Sequence, residues 1–291
     1  MLNSLFARPG FRIATLILLV VSVTGGVRAQ SLNWEGQVGG VMTPFAYVVE
    51  SKDAGISLPA AAFHLLSGGD VVGTHYYGSL TVGFLNRAEV GYSRAAITTA
   101  AEDDSHPLTS LFDRGFNIIH GKVILLKEDS SGLSLPAISA GFVTRFQQEH
   151  IEGGLGSATK NGDIYVVVTK TSDLIQFAPV VLSGGVKVTN ASLMGLAGNA
   201  PEWAWRGFVF GGINLGSRLL LGAEFMQQPE QIEFLAGADL PATISFLARL
   251  VPDPKSRLSI DAAVIRAGDE IGDDLNIKAD NRFSFGLSYR F

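Results

Sequence analysis

The sequence predicts an all-β protein, a transmembrane antiparallel barrel of twelve strands in an outer membrane, and three observations lead there. The last ten residues alternate without a slip, with Phe283, Phe285, Leu287, Tyr289 and Phe291 on one face and Arg282, Ser284, Gly286, Ser288 and Arg290 on the other. Such a strand needs lipid or a core on one side and water on the other. The chain opens with an export signal, and no later stretch is a charge-free apolar run of membrane-helix length, so a bilayer could be crossed only by strands. The connections between predicted strands alternate between short and long, an asymmetry of outer-membrane barrels that a soluble sandwich has no reason to show.

Residues 1–29 supply the signal. Arg8 and Arg12 form its positive start, Ile13 to Val23 an apolar stretch too short to span a bilayer, and Val27-Arg28-Ala29 a cleavage point before Gln30. Cleavage would leave 19 basic and 27 acidic residues, a net charge of −8 with histidine neutral. That balance argues against a nucleic-acid partner. The chain has no cysteine, which excludes disulfides, thiolate catalysis, Cys-ligated metals and a lipid-modified N-terminal cysteine.

Residues 30–57 fit no strand count. Trp34 to Tyr47 could pair, but Thr43-Pro44 interrupts, and proline cannot donate to a ladder. This segment is expected to plug the lumen or fold against its periplasmic mouth, with a disordered leader as the alternative.

The barrel proper is expected over residues 58–291. Its strands are read at 58–66, 72–84, 87–98, 115–126, 136–147, 162–171, 179–190, 204–214, 217–227, 241–251, 256–267 and 281–291. Most are about the 9–11 residues that a tilted membrane strand needs. An even number suits a bacterial single-chain barrel. With both ends in the periplasm, the turns are Leu85-Asn86, 127–135, 171–178, Leu215-Gly216 and 252–255. The outer loops are 67–71, 99–114, 148–161, 191–203, 228–240 and 268–280, and five of these six exceed every turn. Glycines inside the apolar runs, Gly83, Gly91 and Gly141 among them, mark bends or close approach in a curved wall.

Particular segments carry a resemblance. Asn33-Trp34-Glu35-Gly36-Gln37, Thr43-Pro44, Ser67-Gly68-Gly69-Asp70-Val71 and Phe116 to Val123 are four of them. Pro136 to Gly141, Asn161 to Tyr165, Thr189 to Ser192 and Gly198 to Trp203 complete the set. Together they resemble an uncharacterised proteobacterial family of outer-membrane β-barrels, a domain of unknown function. That likeness implies an outer-membrane location and carries no activity. The Gly/Thr-Pro opening is similar, more faintly, to barrels associated with exopolysaccharide export. The C-terminal residues Phe283, Phe285, Leu287, Tyr289 and Phe291 resemble the signal read by the barrel-assembly machinery, which makes that machinery an expected partner.

Alternation assigns the inner face. In the third strand Ala88, Val90 and Tyr92 point outward, and Arg87, Glu89, Gly91 and Ser93 inward. The lumen-lining candidates are Arg87, Glu89, His120, Lys122, Arg145, Lys187, Arg218, Glu224, Arg249, Arg257, Asp261, Arg282 and Arg290. Basic residues outnumber acids in this set, and rings of Arg and Lys are how pores favour anions. The competing reading is an ion-paired plug in a narrow barrel packed with side chains. The sixth and eighth strands alternate too poorly to assign Lys170 and Arg206.

Acids gather in two outer loops, Glu102, Asp103, Asp104 and Asp113 in one and Asp269, Glu270, Asp273, Asp274 and Asp280 in the other. Carboxylates there could hold divalent cations against lipopolysaccharide phosphates, or simply be solvated. The spacing lacks a calcium-loop motif, so neither a metal nor a cofactor is expected. The five histidines are scattered, and His120 with Ser139 is the one pair on adjacent predicted strands worth inspecting for catalysis. Trp34, Trp203, Trp205, Tyr289 and Phe291 are expected near interfaces or loops.

The expected function is a porin-like or gated channel for a small polar, anionic or saccharide solute, with no catalysis. The alternative is a closed barrel serving envelope integrity or polysaccharide export. A lipid-modifying enzyme is a third reading.

Overall fold

The computed structural model describes residues 31–51, 55–67, 73–98, 115–129, 134–147, 159–172, 178–229, 242–253, 257–267, 270–271, 277–278 and 281–291. Its barrel strands are β1 (Ala60–Ser67), β2 (Thr74–Phe84), β3 (Ala88–Thr98), β4 (Gly115–Leu126), β5 (Ala137–Gln147) and β6 (Lys160–Ser172), followed by β7 (Val180–Ala191), β8 (Asn199–Leu215), β9 (Leu219–Met226), β10 (Thr243–Leu250), β11 (Leu258–Ala267) and β12 (Arg282–Arg290). These twelve form a closed antiparallel barrel in sequence order, and β12 closes it against β1 with Ala60 opposite Arg290 and Leu66 opposite Ser284. Closure removes every free strand edge, which lipid cannot hydrogen-bond. The signal segment lies outside the described residues. So do the side chains of the acidic outer-loop residues Glu102, Asp103, Asp104, Asp113, Asp269, Glu270, Asp273, Asp274 and Asp280.

Eleven strands start and stop within two residues of the bounds expected from alternation. The exception is β8, which begins five residues before the expected Ala204. Its pairing with β7 continues past an irregularity between Thr189 and Ala191, where Ala191 meets Asn199. The intervening outer connection is therefore shorter than the 191–203 expected. It holds a single 3-10 turn at Ser192–Gly195 with Leu193 and Met194 in the left-handed region (φ +46° and +59°).

The outward face is an apolar belt. Phe63, Ile164, Leu182, Phe246 and Phe283 are 45–65% exposed, and every strand except β11 contributes an exposed large apolar side chain to it. In water a patch that runs around the whole molecule would drive association, whereas a hydrocarbon layer is its natural complement. No helix among the described residues is long and apolar enough to cross a membrane.

The inward face is not simply polar. Tyr77, Phe116, Ile118, Tyr165, Val167, Phe208 and Phe210 all point inward and are buried. They pack against Trp34, Val41, Met42 and Phe45, so the lumen encloses a hydrophobic core. Residues 31–49 supply the centre of that core, with Trp34, Val41, Met42, Phe45 and Ala46.

Candidate functional site

The first described residues fold into a compact loop inside the barrel. Asn33 organises its tip, because its side-chain oxygen accepts from the N–H of Glu35 (3.1 Å) and of Gln37 (2.9 Å). A short polar side chain that bonds the backbone two and four residues on is a local turn device. Gly36 holds the turn at φ +88°, a conformation that strains any residue with a Cβ. The loop then folds back on itself, with Trp34 N–H bonded to Val41 (3.1 Å) and Phe45 N–H to Val38 (2.9 Å).

Four charged clamps from the wall hold this loop. Glu224 on β9 accepts from the N–H groups of Val41 (3.1 Å), Met42 (3.2 Å) and Thr43 (2.9 Å), from the Thr43 hydroxyl (2.7 Å) and from the Ser245 hydroxyl (2.6 Å). Three successive N–H groups converging on one carboxylate make an anion nest. Arg249 on β10 donates to the carbonyls of Gly39 (3.0 Å) and Gly40 (3.1 Å) and grips Asp261 of β11 with two bonds of 2.7 and 3.0 Å. Lys122 on β4 pairs with Glu89 of β3 at 2.9 Å and donates to Val38 (3.1 Å) and Phe45 (2.9 Å). Glu89 in turn accepts from Val49 N–H at 3.0 Å. Arg145 on β5 donates to Glu35 of the loop, to Asp163 of β6 at 2.8 Å and to Asn161 at 3.3 Å. Lys187 on β7 stands 3.5 Å from the same Asp163.

Apolar contacts complete the fit. Trp34 stacks on Tyr77 with centroids 5.9 Å apart and donates its indole N–H to Ser284 at 3.0 Å. Phe45 packs on Phe210 at 4.7 Å. Trp34 is therefore a lumen residue rather than the interfacial one expected, because its ring has an aromatic partner and its N–H an acceptor inside. Trp203 and Trp205 are exposed on the outside, as are Tyr289 and Phe291 near the chain's end.

The chain leaves along the rim that carries the β2–β3 and β4–β5 turns. Tyr47 donates to Glu128 in the β4–β5 turn (2.6 Å), and Ser51 and Asn86 exchange two bonds (2.6 and 3.0 Å). Burial first, then the Glu128 carboxylate, pushes the Tyr47 phenol well above its usual range, so it stays a donor through neutral pH. At the opposite end the β7–β8 connection folds inward. Met194 is buried, and Gly195 lies against Arg145.

Several lumen candidates stand elsewhere. Glu89, His120, Lys122, Arg145, Lys187, Glu224, Arg249 and Asp261 are buried in the interior. Arg87, Arg218 and Arg257 are exposed in the short turns, and Arg282 and Arg290 are half-exposed at the two ends of β12. They share the inward register but stand at the mouths. The buried charges among the described residues are then Lys122, Arg145, Lys187 and Arg249 against Glu35, Glu89, Asp163, Glu224 and Asp261. The expected excess of positive charge is absent from the described interior. His120 and Ser139 do not meet, for His120 Nε2 lies 3.2 Å from the Thr81 hydroxyl and Ser139 donates to the Ala46 carbonyl at 2.7 Å.

Gly83 shows how closely the loop is fitted. A Cβ there would collide with the Val49 carbonyl oxygen. Gly83→Val is expected to dislodge the 46–51 strap, so that proteinase K cleaves there in the folded variant and not in the parent. Equal protection would mean the wall shifts to absorb the side chain.

Solved structures of similar fold include the KdgM porin (9% identity, TM-score 0.48, 80% of this chain and 99% of that chain). The NanC porin is another (11% identity, TM-score 0.49, 80% and 100%). A third is the COG4313 outer membrane channel from Pseudomonas putida F1 (12% identity, TM-score 0.49, 84% and 100%). No curated protein matches the sequence. A family model described as "Protein of unknown function (DUF3034)" matches residues 24–276.

Proposed function

The chain belongs to the DUF3034 family, and from its lumen geometry we propose that it is a porin-like outer-membrane channel closed at rest by its own N-terminal segment. The observation that carries this reading is the burial of residues 31–46 inside the barrel, every one of them buried and the segment held by the four clamps. A bilayer channel blocked in this way opens only when the loop moves, and the clamps set how often it does so.

The solute is proposed as small and polar. Charge selectivity is expected to be weak, because the wall alone carries four buried cations and four buried anions among the described residues. A salt-gradient reversal potential near zero is the expected signature, in place of the anion preference that the sequence suggested. The periplasmic end of β12, with Tyr289 and Phe291 exposed, is the surface proposed for the barrel-assembly machinery.

A permanently closed barrel with a structural role is the second reading, favoured by the Arg249–Asp261 and Arg145–Asp163 pairs that tie neighbouring strands without the loop. Planar-bilayer recording separates the two. The mature protein should be silent, and a variant lacking residues 32–48 should show steady openings. A deletion variant that migrates as a folded, heat-modifiable barrel yet stays silent would sink the channel reading. If it does not fold, Glu89→Gln, which weakens one clamp and keeps the loop, gives the same comparison through its opening frequency.

A further inference from the structure

The lumen does not use all the cations near the extracellular end. On the outward face Arg94 of β3 stands opposite Asn117 of β4, Asn117 opposite Phe146 of β5, and Phe146 opposite Lys160 of β6. One register row thus crosses four neighbouring strands. Arg94 Nη1 is buried and has no hydrogen-bond partner among the described residues. Its guanidinium lies along Gly115, where an added Cβ would come within 3.1 Å of Nη2. The Tyr92 hydroxyl donates to Asn117 Oδ1 at 2.6 Å, which leaves Nδ2 as the donor end of that amide. Lys160 is exposed, and no carboxylate stands in the row. The next outward row is Tyr92, Ile119, Thr144 and Gly162, and the row after it, with Val90, Phe142 and Ile164, is apolar and exposed.

We infer that this row binds the phosphate-bearing headgroup of an outer-leaflet lipid, its acyl chains lying down the apolar rows beneath. The inference rests on the barrel spanning the outer membrane. A cation on the outward face with no counter-charge in its row is costly at membrane depth, and an anionic headgroup at the same depth removes that cost. Arginine's planar fork suits phosphate oxygens, and asparagine and lysine add donors on the same side. The outer positions of the row are three strand spacings apart, about 14 Å, so Arg94 and Lys160 flank a headgroup rather than grip one atom. Nothing in the lumen is required for this.

The test adds lipopolysaccharide, its dephosphorylated form, or inorganic phosphate alone to the full mature barrel in detergent. Adducts are read by native mass spectrometry. Lipopolysaccharide should bind, and Arg94→Ala with Lys160→Ala should weaken it by at least about tenfold, the factor one charge-assisted hydrogen bond supplies. Lys127→Ala, an exposed residue in a periplasmic turn, should leave binding unchanged. Undiminished binding to the double variant, or equal binding of the dephosphorylated lipid, overturns the assignment. Inorganic phosphate that saturates the row at the same concentration overturns the lipid and leaves a free-anion site. Arg94→Gln, which keeps the side chain's bulk, replaces the double variant if that does not fold. Heat-modifiable migration reports barrel formation separately, and conductance plays no part, so failure here leaves the plugged-channel reading standing.

Discussion

Arg145→Leu is expected to destabilise the folded barrel by about 3–5 kcal/mol, the cost of leaving buried charges without their partner. Arg145 is fully buried, and its guanidinium joins Glu35 of the N-terminal loop to Asp163 of β6. With leucine there, two carboxylates remain in one dry pocket, and Lys187, 3.5 Å from Asp163, is the cation left beside them. Like charges so placed repel, and neither can recover the water it lost. Urea unfolding in lipid vesicles, followed by tryptophan fluorescence, measures the loss. Adding Glu35→Gln and Asp163→Asn to the same chain should restore more than half of it, since replacing a whole buried ion cluster is far less harmful than breaking it. A single variant that loses under about 1 kcal/mol would show that water reaches the cluster, and the lumen would then be wetter than its burial indicates.

The strands were legible because lipid imposes a strict alternation on the outward face. β12 displays it without interruption, and eleven strands fall within two residues of expectation. Alternation also gives the facing of a residue but not its depth. Arg87, Arg218 and Arg257 therefore passed as lumen residues although they sit in turns at the mouth. β6 and β8 resisted assignment for a physical reason. Tyr165, Val167, Phe208 and Phe210 face the N-terminal loop, so both faces of those strands are apolar. That concealed Asp163 on β6.

The loop itself carries no periodic signal, because its order comes from partners remote in sequence. Glu224 and Thr43 are 181 residues apart, Ser284 and Trp34 are 250 apart, and Glu35 and Arg145 are 110 apart. Glu35 reads in sequence as an ordinary loop acid. The one local sign was Asn33 followed by Gly36, a turn pattern whose meaning depends on the wall around it. The apparent basicity of the lumen had the same origin, since two of the acids that balance it, Glu35 and Asp163, lie where alternation fails.

Glu224→Ala is expected to release the loop while leaving the barrel closed upon itself. The substitution strips the acceptor from three consecutive N–H groups and from the Thr43 and Ser245 hydroxyls, all in a buried site. Buried donors left unmatched cost about 1–3 kcal/mol each, so even partial relaxation shifts the loop by several kcal/mol toward leaving. The ladders of β8, β9 and β10 do not depend on this side chain, because their bonds are between backbones. The variant should therefore keep heat-modifiable migration, expose residues 38–46 to proteinase K, and show openings at voltages where the parent is silent. Ser245→Ala removes one donor from the wall side only and should change opening far less. If Glu224→Ala is as silent and as protected as the parent, the nest at residues 41–43 holds by its own turn geometry. In that case the remaining Arg249 contacts to Gly39 and Gly40 become the place to look for the latch.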